Sequence, residues 1–159
     1  MQVAAVVGRE FPVRVLERVS GSANVQEDLA ILLRADLVRE VRRFPDLVCA
    51  FRHGMIQEAA LETLTADHLR SLNGRVAAAY EALYAGNLDD YLEVLAYHYY
   101  RSEDQSKALA YLERAADRAL ARADRGEAAE LLRRAQKVAR RLGDMGEQHR
   151  LADRLAALS

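Results

Sequence analysis

Tryptophan is missing from this sequence of 159 residues, and cysteine and proline are scarce. With a single cysteine, Cys49, the chain cannot form an internal disulfide, and a cytoplasmic setting fits this composition best. Because Cys49 lies in the apolar run 47–51, we expect a buried, inert thiol. Two prolines and eight glycines are too few for a disordered chain, and the prevalence of alanine, leucine, arginine and glutamate predicts stacked helices.

Long hydrophobic runs and an excess of one charge are missing as well. No apolar stretch approaches the roughly 20 residues that span a bilayer, and residues 1–7 carry neither a basic region nor a signal cleavage site. The net charge of −1 provides no general attraction for nucleic acid or for an anionic membrane. We therefore expect no membrane association. The first residues already follow a helical pattern without a cap, which predicts a fragment of a larger protein.

Helix start and stop signals divide the first 35 residues. The apolar pattern predicts a short helix over residues 2–8, a second helix from Pro12 to the stop at Gly21, and a third helix capped by Asn24. Acidic residues fill the first turn of the third helix, where the helix dipole favours negative charge. Three short amphipathic helices are therefore expected.

A hairpin signal follows these helices. Residues 37–43 and 47–52 are rich in β-forming side chains and flank the turn Phe44-Pro45-Asp46. Three short helices followed by a two-stranded wing is the element order of a winged helix. The sequence predicts a winged-helix-like N-terminal domain over residues 1–65 with one short β-hairpin.

From residue 53 onward, apolar residues recur at helical spacing, so the fold class is expected to be mainly α. Two stripes precede a break at Gly86-Asn87. The first stripe comprises Met55, Ile56, Ala59, Ala60 and Leu64, and the second comprises Leu69, Leu72, Val76, Ala79, Tyr80 and Leu83. The helix after the break carries four tyrosines: Tyr91, Tyr97, Tyr99 and Tyr100.

The tail contains an internal repeat with an offset of 20 residues. Asp104-x3-Ala108-x3-Leu112-x-Arg114-Ala115 recurs as Asp124-x3-Ala128-x3-Leu132-x-Arg134-Ala135. Small alanines let helices approach closely, and the aspartates occupy turn or cap positions. A last helix is expected at about 146–158. Residues 66–159 are therefore predicted to form antiparallel helical hairpins, as in tetratricopeptide (TPR) repeats.

Three segments carry a resemblance to a known family: residues 4–11, residues 51–60 and residues 95–99. They resemble the region that follows the ATPase core in signal-transducing STAND-type ATPases. Relatives of that kind are large bacterial proteins that join an adenylate or guanylate cyclase domain, or a LuxR-type output domain, to an AAA-like ATPase and a tetratricopeptide tail. The resemblance implies a winged-helix lid over 1–65, the start of a sensor superhelix over 66–159, and ATP or ADP bound by the parent protein.

The same resemblance implies a role for His53. Phe51-Arg52-His53-x-Met55-Ile56 is similar to the Met-His-Asp signature of the family, in which the histidine contacts the β-phosphate of bound ADP. A histidine suits this task because its ring donates a hydrogen bond and is easily charged beside a phosphate. Gly54 departs from the pattern, since the family often has aspartate there. The alternative is that His53 only caps or packs the following helix.

Catalytic chemistry is not expected in this chain. A nucleotide hydrolase of this class needs a Gly-x4-Gly-Lys-Ser/Thr loop, and no glycine here precedes a lysine. The histidines are widely spaced and form no metal-ligand pair. They are His53, His68, His98 and His149. We expect no enzyme activity, no metal site and no cofactor held by this chain alone.

DNA binding is the main rival function, because a winged helix often places its third helix in the major groove. The acids Glu27 and Asp28 at the leading end of that helix would repel phosphates, which makes DNA an unfavoured partner. Four arginines of the hairpin region keep this alternative open: Arg39, Arg42, Arg43 and Arg52.

A protein partner is expected at the helical repeats. Tyr91, Tyr97 and Tyr100 are candidate anchors of a peptide-binding surface, whereas Tyr99 falls at the spacing of a core residue. The leading hypothesis is a non-catalytic regulatory and protein-interaction region that couples partner binding to a nucleotide switch in an upstream ATPase core. The alternatives are a DNA-binding transcriptional regulator with a helical sensor tail, and a protein-interaction module without a switch.

Overall fold

Helices dominate the computed structural model of the chain, which describes residues 1–158 and forms two compact units divided between Leu83 and Tyr84. The N-terminal unit contains α1 (Gln2–Val7), β1 (Glu10–Pro12), α2 (Val13–Ser20), α3 (Val25–Arg34), β2 (Val38–Arg42), β3 (Val48–Phe51), α4 (Gly54–Glu62) and α5 (Ala66–Leu83). The C-terminal unit contains a 3-10 segment (Ala85–Tyr91), α6 (Leu92–Tyr100), α7 (Gln105–Ala121), α8 (Arg125–Leu142) and α9 (Met145–Ala156). The expected mainly α fold with a small β element is confirmed.

The helix signals of the first 35 residues place α1, α2 and α3 correctly. Gly21 ends α2 in the left-handed conformation (φ 61°), which glycine adopts without a side-chain clash. Asn24 occupies the N-cap position of α3, but its side chain makes no capping hydrogen bond. Instead its carbonyl oxygen accepts the hydrogen bond of the Asp28 amide at 3.0 Å.

The sheet holds one strand more than the sequence predicts. Besides the expected antiparallel hairpin of β2 and β3, β1 pairs antiparallel with the other edge of β3, so the strand order is β1-β3-β2. All four residues of β3 are buried, as a central strand requires, whereas β2 lies at an edge and exposes all its residues except Val38. The rings of Phe11 and Phe51, 5.5 Å apart, join β1 and β3 in the core.

The N-terminal unit extends beyond the boundary expected at residue 65. Helix α5 packs against α1 and α2, so Ala66–Leu83 belongs to the same compact unit as the sheet. The apolar stripe of α5 is largely buried: Leu72, Val76, Ala79 and Tyr80 are at most 5% exposed. The apolar stripe predicted along α4 is not buried throughout, since Ala60 is buried while Met55 is 78% exposed.

In the C-terminal unit, α7 packs against both α6 and α8, and α8 packs against α9. The repeat positions face these contacts, because the alanines and leucines of both copies are at most 1% exposed: Ala108, Leu112, Ala115, Ala128, Leu132 and Ala135. Asp104 and Asp124 cap α7 and α8 through hydrogen bonds from backbone amides at 3.0 and 2.9 Å. Asp144 caps α9 in the same way at 2.9 Å. It is a third capping aspartate at the same 20-residue offset, and the repeat read from the sequence did not include it.

The turns between these helices repeat as well. Ala123 (φ 61°) precedes Asp124, and Gly143 (φ 72°) precedes Asp144, so both turns use one left-handed residue before the capping aspartate. The Asp124 and Asp144 amides donate to the carbonyl oxygens of Ala119 and of the corresponding Ala139, at 2.9 and 3.1 Å. The 20-residue offset therefore describes backbone geometry as well as sequence.

Candidate functional site

His53 lies at the junction of β3 and α4, as its N-cap residue. Its backbone is extended (φ −134°, ψ 143°), its side chain makes no capping hydrogen bond, and the residue is exposed. The structure therefore does not give His53 the capping role that the sequence left open. Its imidazole is available at the surface of the N-terminal unit.

An ion pair lies beside His53. Arg52 donates from Nε and Nη2 to one carboxylate oxygen of Asp36, at 2.9 and 2.6 Å. This hydrogen bonding is the main cause that holds the pKa of Asp36 below its usual value, with smaller contributions from the charges of Arg52 and His53. Asp36 has a positive φ of 57°, a conformation that aspartate tolerates better than most residues. The pair connects the end of α3 to the end of β3.

The first turn of α4 adds backbone donors to this surface. Among the described residues, no side chain caps the N-terminus of α4, so the first amides of the helix stay without a side-chain acceptor. A Cβ added to Gly54 would meet no atom within 4 Å. Crowding therefore does not explain why Gly54 stands where the resemblance leads us to expect aspartate.

Three groups within this short stretch of chain are donors that an anion can use. The ring of His53, the guanidinium of Arg52 and the first amides of α4 are hydrogen-bond donors, and the positive end of a helix dipole favours phosphate. The carboxylate of Asp36 is the opposing charge, and it is already bound by Arg52. We call His53, Arg52 and the N-terminus of α4 the His53 surface.

The candidate tyrosines fall into separate environments. Tyr91 is half-buried and stacks on Tyr84 with ring centroids 4.2 Å apart. Tyr97 and Tyr100 lie one turn apart on α6, where Tyr97 is 46% exposed and Tyr100 is half-buried. Tyr99 is 2% exposed, which confirms it as a core residue. The structure therefore groups Tyr97 with Tyr100 and leaves Tyr91 in a stack of its own.

The edge hairpin exposes basic and apolar side chains together. Arg39, Arg42 and Arg43 are exposed, and only Arg43 pairs with a carboxylate, that of Glu40 at 2.8 Å, within the described part of the chain. At the tip, Phe44 is 85% exposed. Charged residues on an edge strand commonly prevent pairing with another chain. This role explains the exposed arginines without a bound ligand being assumed.

Ion pairs across helices are the feature that sequence reasoning missed. Three acids in and just after the 3-10 segment pair with arginines spaced four residues apart along α7 and at its C-cap, a spacing that could have revealed one charged face. The N–O pairs are Asp89–Arg114 at 3.0 Å, Asp90–Arg118 at 3.7 Å and Glu93–Arg122 at 3.2 Å. A cleft of about 350 Å³ beside them is lined by Asp89, Leu92, Arg114, Asp117 and Arg118.

The described residues contain no group of metal ligands and no candidate membrane-spanning helix. Across residues 1–158, no three side chains of histidine, cysteine, aspartate or glutamate lie together as metal ligands would. Cys49 is fully buried in β3, and this burial raises the pKa of its thiol. None of the described helices combines the length and apolar character needed to cross a bilayer.

Comparison of the chain with protein-family models, with curated protein sequences and with solved structures produced no match. The resemblance to STAND-type ATPases therefore rests on the residues quoted for it in residues 4–11, 51–60 and 95–99.

Proposed function

We propose that this chain is a non-catalytic regulatory and protein-interaction region of a multidomain signal-transduction ATPase. In this proposal the N-terminal unit is a winged-helix lid, and the C-terminal unit is the beginning of a TPR-like sensor. Partner binding at the repeats is coupled to a nucleotide switch in an ATPase core elsewhere in the parent protein. The chain itself holds no cofactor, and the parent binds ATP or ADP in the cytoplasm.

The topology of the N-terminal unit supports the winged-helix interpretation. Its elements run helix, strand, helix, helix and hairpin, and β3 lies between β1 and β2. A winged helix, a variation on the helix-turn-helix plan, has this order of three helices followed by a wing. The strand β1, which the sequence did not reveal, strengthens this interpretation because it anchors the wing to the start of the unit.

The repeated helices of the C-terminal unit support the sensor interpretation. Three consecutive helices begin with a capping aspartate at the same offset, and they pack on their neighbours in order. Arrays of this kind provide extended surfaces for protein partners. The exposed Tyr97 and the half-buried Tyr100 are the aromatic anchors on this surface, and Tyr91 stays a predicted anchor.

The observation that carries the proposal is the exposure of His53 beside the uncapped N-terminus of α4. A phosphate presented by an ATPase core would accept hydrogen bonds from the imidazole and from the first amides of the helix. ADP held in this way would join the lid to the core and keep the switch closed. Loss of the β-phosphate contact would release the lid.

The test is ADP retention by the parent protein containing the ATPase core. His53→Ala is expected to weaken ADP binding by about tenfold or more, the value of one charge-assisted hydrogen bond. His68→Ala is the matched control, because His68 is an exposed histidine of the same unit on α5. Equal ADP retention in the two variants would exclude the sensor role of His53.

DNA binding is the second candidate, and the exposed arginines of the hairpin favour it. The exposed acids Glu27 and Asp28 in the first turn of α3 argue against it, because they would face the phosphates of a bound duplex. An electrophoretic mobility shift at low salt separates the two functions. A shift that is lost in Arg42→Gln/Arg43→Gln would favour the DNA-binding regulator over the lid.

A further inference from the structure

Arginines lie over tyrosine rings on one side of the C-terminal unit. The guanidinium of Arg101 lies 3.8 Å from the ring centroid of Tyr97, its neighbour one turn earlier on α6. From α8, the guanidinium groups of Arg134 and Arg141 lie 5.9 and 5.6 Å from the ring centroid of Tyr100. We call these five residues the arginine–tyrosine surface. It joins α6 to α8.

The charges of this surface are only partly neutralised. Glu130 pairs with Arg134 at 3.1 Å, and its other oxygen lies 3.8 Å from Arg133. Over the residues that the structure describes, no carboxylate lies within ion-pair distance of Arg101 or Arg141. Both of these arginines are exposed. Arg141 donates from Nη1 to the uncharged side-chain oxygen of Gln105 at 3.4 Å, which leaves its positive charge without a carboxylate partner among the described residues. The surface therefore carries positive charge that the unit neutralises only in part.

Contact with the rings restricts these arginines before a ligand binds. A guanidinium held over an aromatic face has fewer conformations to lose when a ligand binds. A carboxylate accepts two parallel hydrogen bonds from such a group, which is the strongest pairing available to arginine at a surface. The arrangement thus fits several carboxylates spaced along a chain.

We propose that the arginine–tyrosine surface binds an acidic peptide segment, rich in aspartate and glutamate, of a partner protein. This proposal rests on the proposed function and names the chemistry of its protein partner. Nucleic acid is the poorer fit, because guanidinium groups already lie over the rings of Tyr97 and Tyr100, where a stacked base would compete with them.

The experiment is fluorescence anisotropy of a short, labelled peptide of glutamate and glycine with the full chain, near physiological salt. Arg134→Gln/Arg141→Gln is expected to weaken binding by about tenfold or more. Arg133→Gln/Arg140→Gln is the matched control, since it removes the same charge from the same helix at exposed arginines that no tyrosine ring contacts within residues 1–158. It is expected to weaken binding by less than about threefold.

A second variant separates geometry from charge. Arg134→Lys/Arg141→Lys keeps the charge but removes the planar fork, so we expect an affinity between those of the original chain and the glutamine variant. Circular dichroism and thermal melting of each variant show whether its fold is intact.

Three results would overturn the proposal. They are the absence of peptide binding by the original chain, equal weakening by the two glutamine pairs, and a preference for a uridine oligonucleotide of equal charge over the peptide. The assay contains neither ADP nor the ATPase core, so its outcome is independent of ADP retention. If the peptide does not bind but His53→Ala still weakens ADP binding, the acidic-peptide proposal is wrong and the lid proposal is unaffected.

Discussion

Arg52 donates two hydrogen bonds to a single oxygen of Asp36, so the residue that ends the turn after α3 is tied to the residue that follows β3. The ion pair is adjacent to His53 in sequence, and the charge of His53 is one of the causes that lower the pKa of Asp36. Because both side chains are exposed, the pair adds little to global stability, and its main effect is to orient Arg52.

The pKa of Asp36 provides the first prediction. Arg52→Gln is expected to raise this pKa toward its usual value, because the hydrogen bonds and the charge that favour the carboxylate are lost. The sign follows from linkage: a carboxyl whose pKa is lowered in the folded state stabilises the fold above the unfolded pKa of about 3.9, and this contribution is lost as the pH falls through the folded pKa. NMR titration of Asp36 in both proteins measures the change. An unchanged titration curve would show that the pair does not form in solution.

The two left-handed turns supply the second prediction. Ala123 holds a positive φ at the position where the next repeat has Gly143. Ala123→Gly should stabilise the chain by about 0.5–1 kcal/mol, since glycine avoids the contact between Cβ and the carbonyl oxygen. Gly143→Ala should destabilise it by about 1 kcal/mol, because a Cβ there meets no neighbour and only the backbone conformation opposes it. Urea unfolding of both variants checks the opposite signs, and changes of the same sign would contradict this reasoning.

The capping aspartates lead to the third prediction. Asp124→Ala should cost about 1 kcal/mol of stability, because the amide of Glu127 loses its acceptor at the start of α8. Asp124→Asn keeps an acceptor oxygen in the same place and should cost clearly less. The free energy of unfolding from urea titration compares the two variants. Equal losses would mean that the negative charge, and not the hydrogen bond, stabilises the helix start.

The thiol of Cys49 is the subject of the fourth prediction. Because the side chain is fully buried in the central strand and its pKa is raised by burial, a thiol reagent at neutral pH should react about a hundredfold or more slowly than with the unfolded chain. Absorbance of the released chromophore follows the reaction, with the chain in guanidinium chloride as the reference. Rapid reaction in the folded state would place β3 at an accessible edge of the sheet.

Local signals in the sequence were sufficient for most of the helices. Pro12 and Gly21 delimit α2 because proline suits the approach to a helix and glycine suits its end. The 20-residue recurrence located α7 and α8, since alanine at Ala108 and Ala128 leaves room for a neighbouring helix. The hairpin followed from β-forming residues on both sides of a proline turn.

Non-local contacts explain what the sequence did not reveal. Strand β1 has three residues and ends in proline, so nothing local marks it; it is extended because its neighbour in the sheet, β3, supplies the pairing. The pattern of α4 indicated an apolar face, yet Met55 is exposed because the partners of α4, including α1 and β3, cover a different side of the helix. Non-local contacts also place α5 in the N-terminal unit, and no local pattern near residue 65 indicates this.

The sequence by itself determined the mainly helical class, the hairpin, the repeat offset and the burial of Tyr99, because each depends on spacing along one segment. Tertiary structure alone decided which charges and rings of different elements meet. The pairing of Asp36 with Arg52, and the contacts of Arg134 and Arg141 with the ring of Tyr100, join residues at least 16 positions apart. Their side chains come within contact distance only once the helices and strands have packed, so no local pattern of residues encodes them.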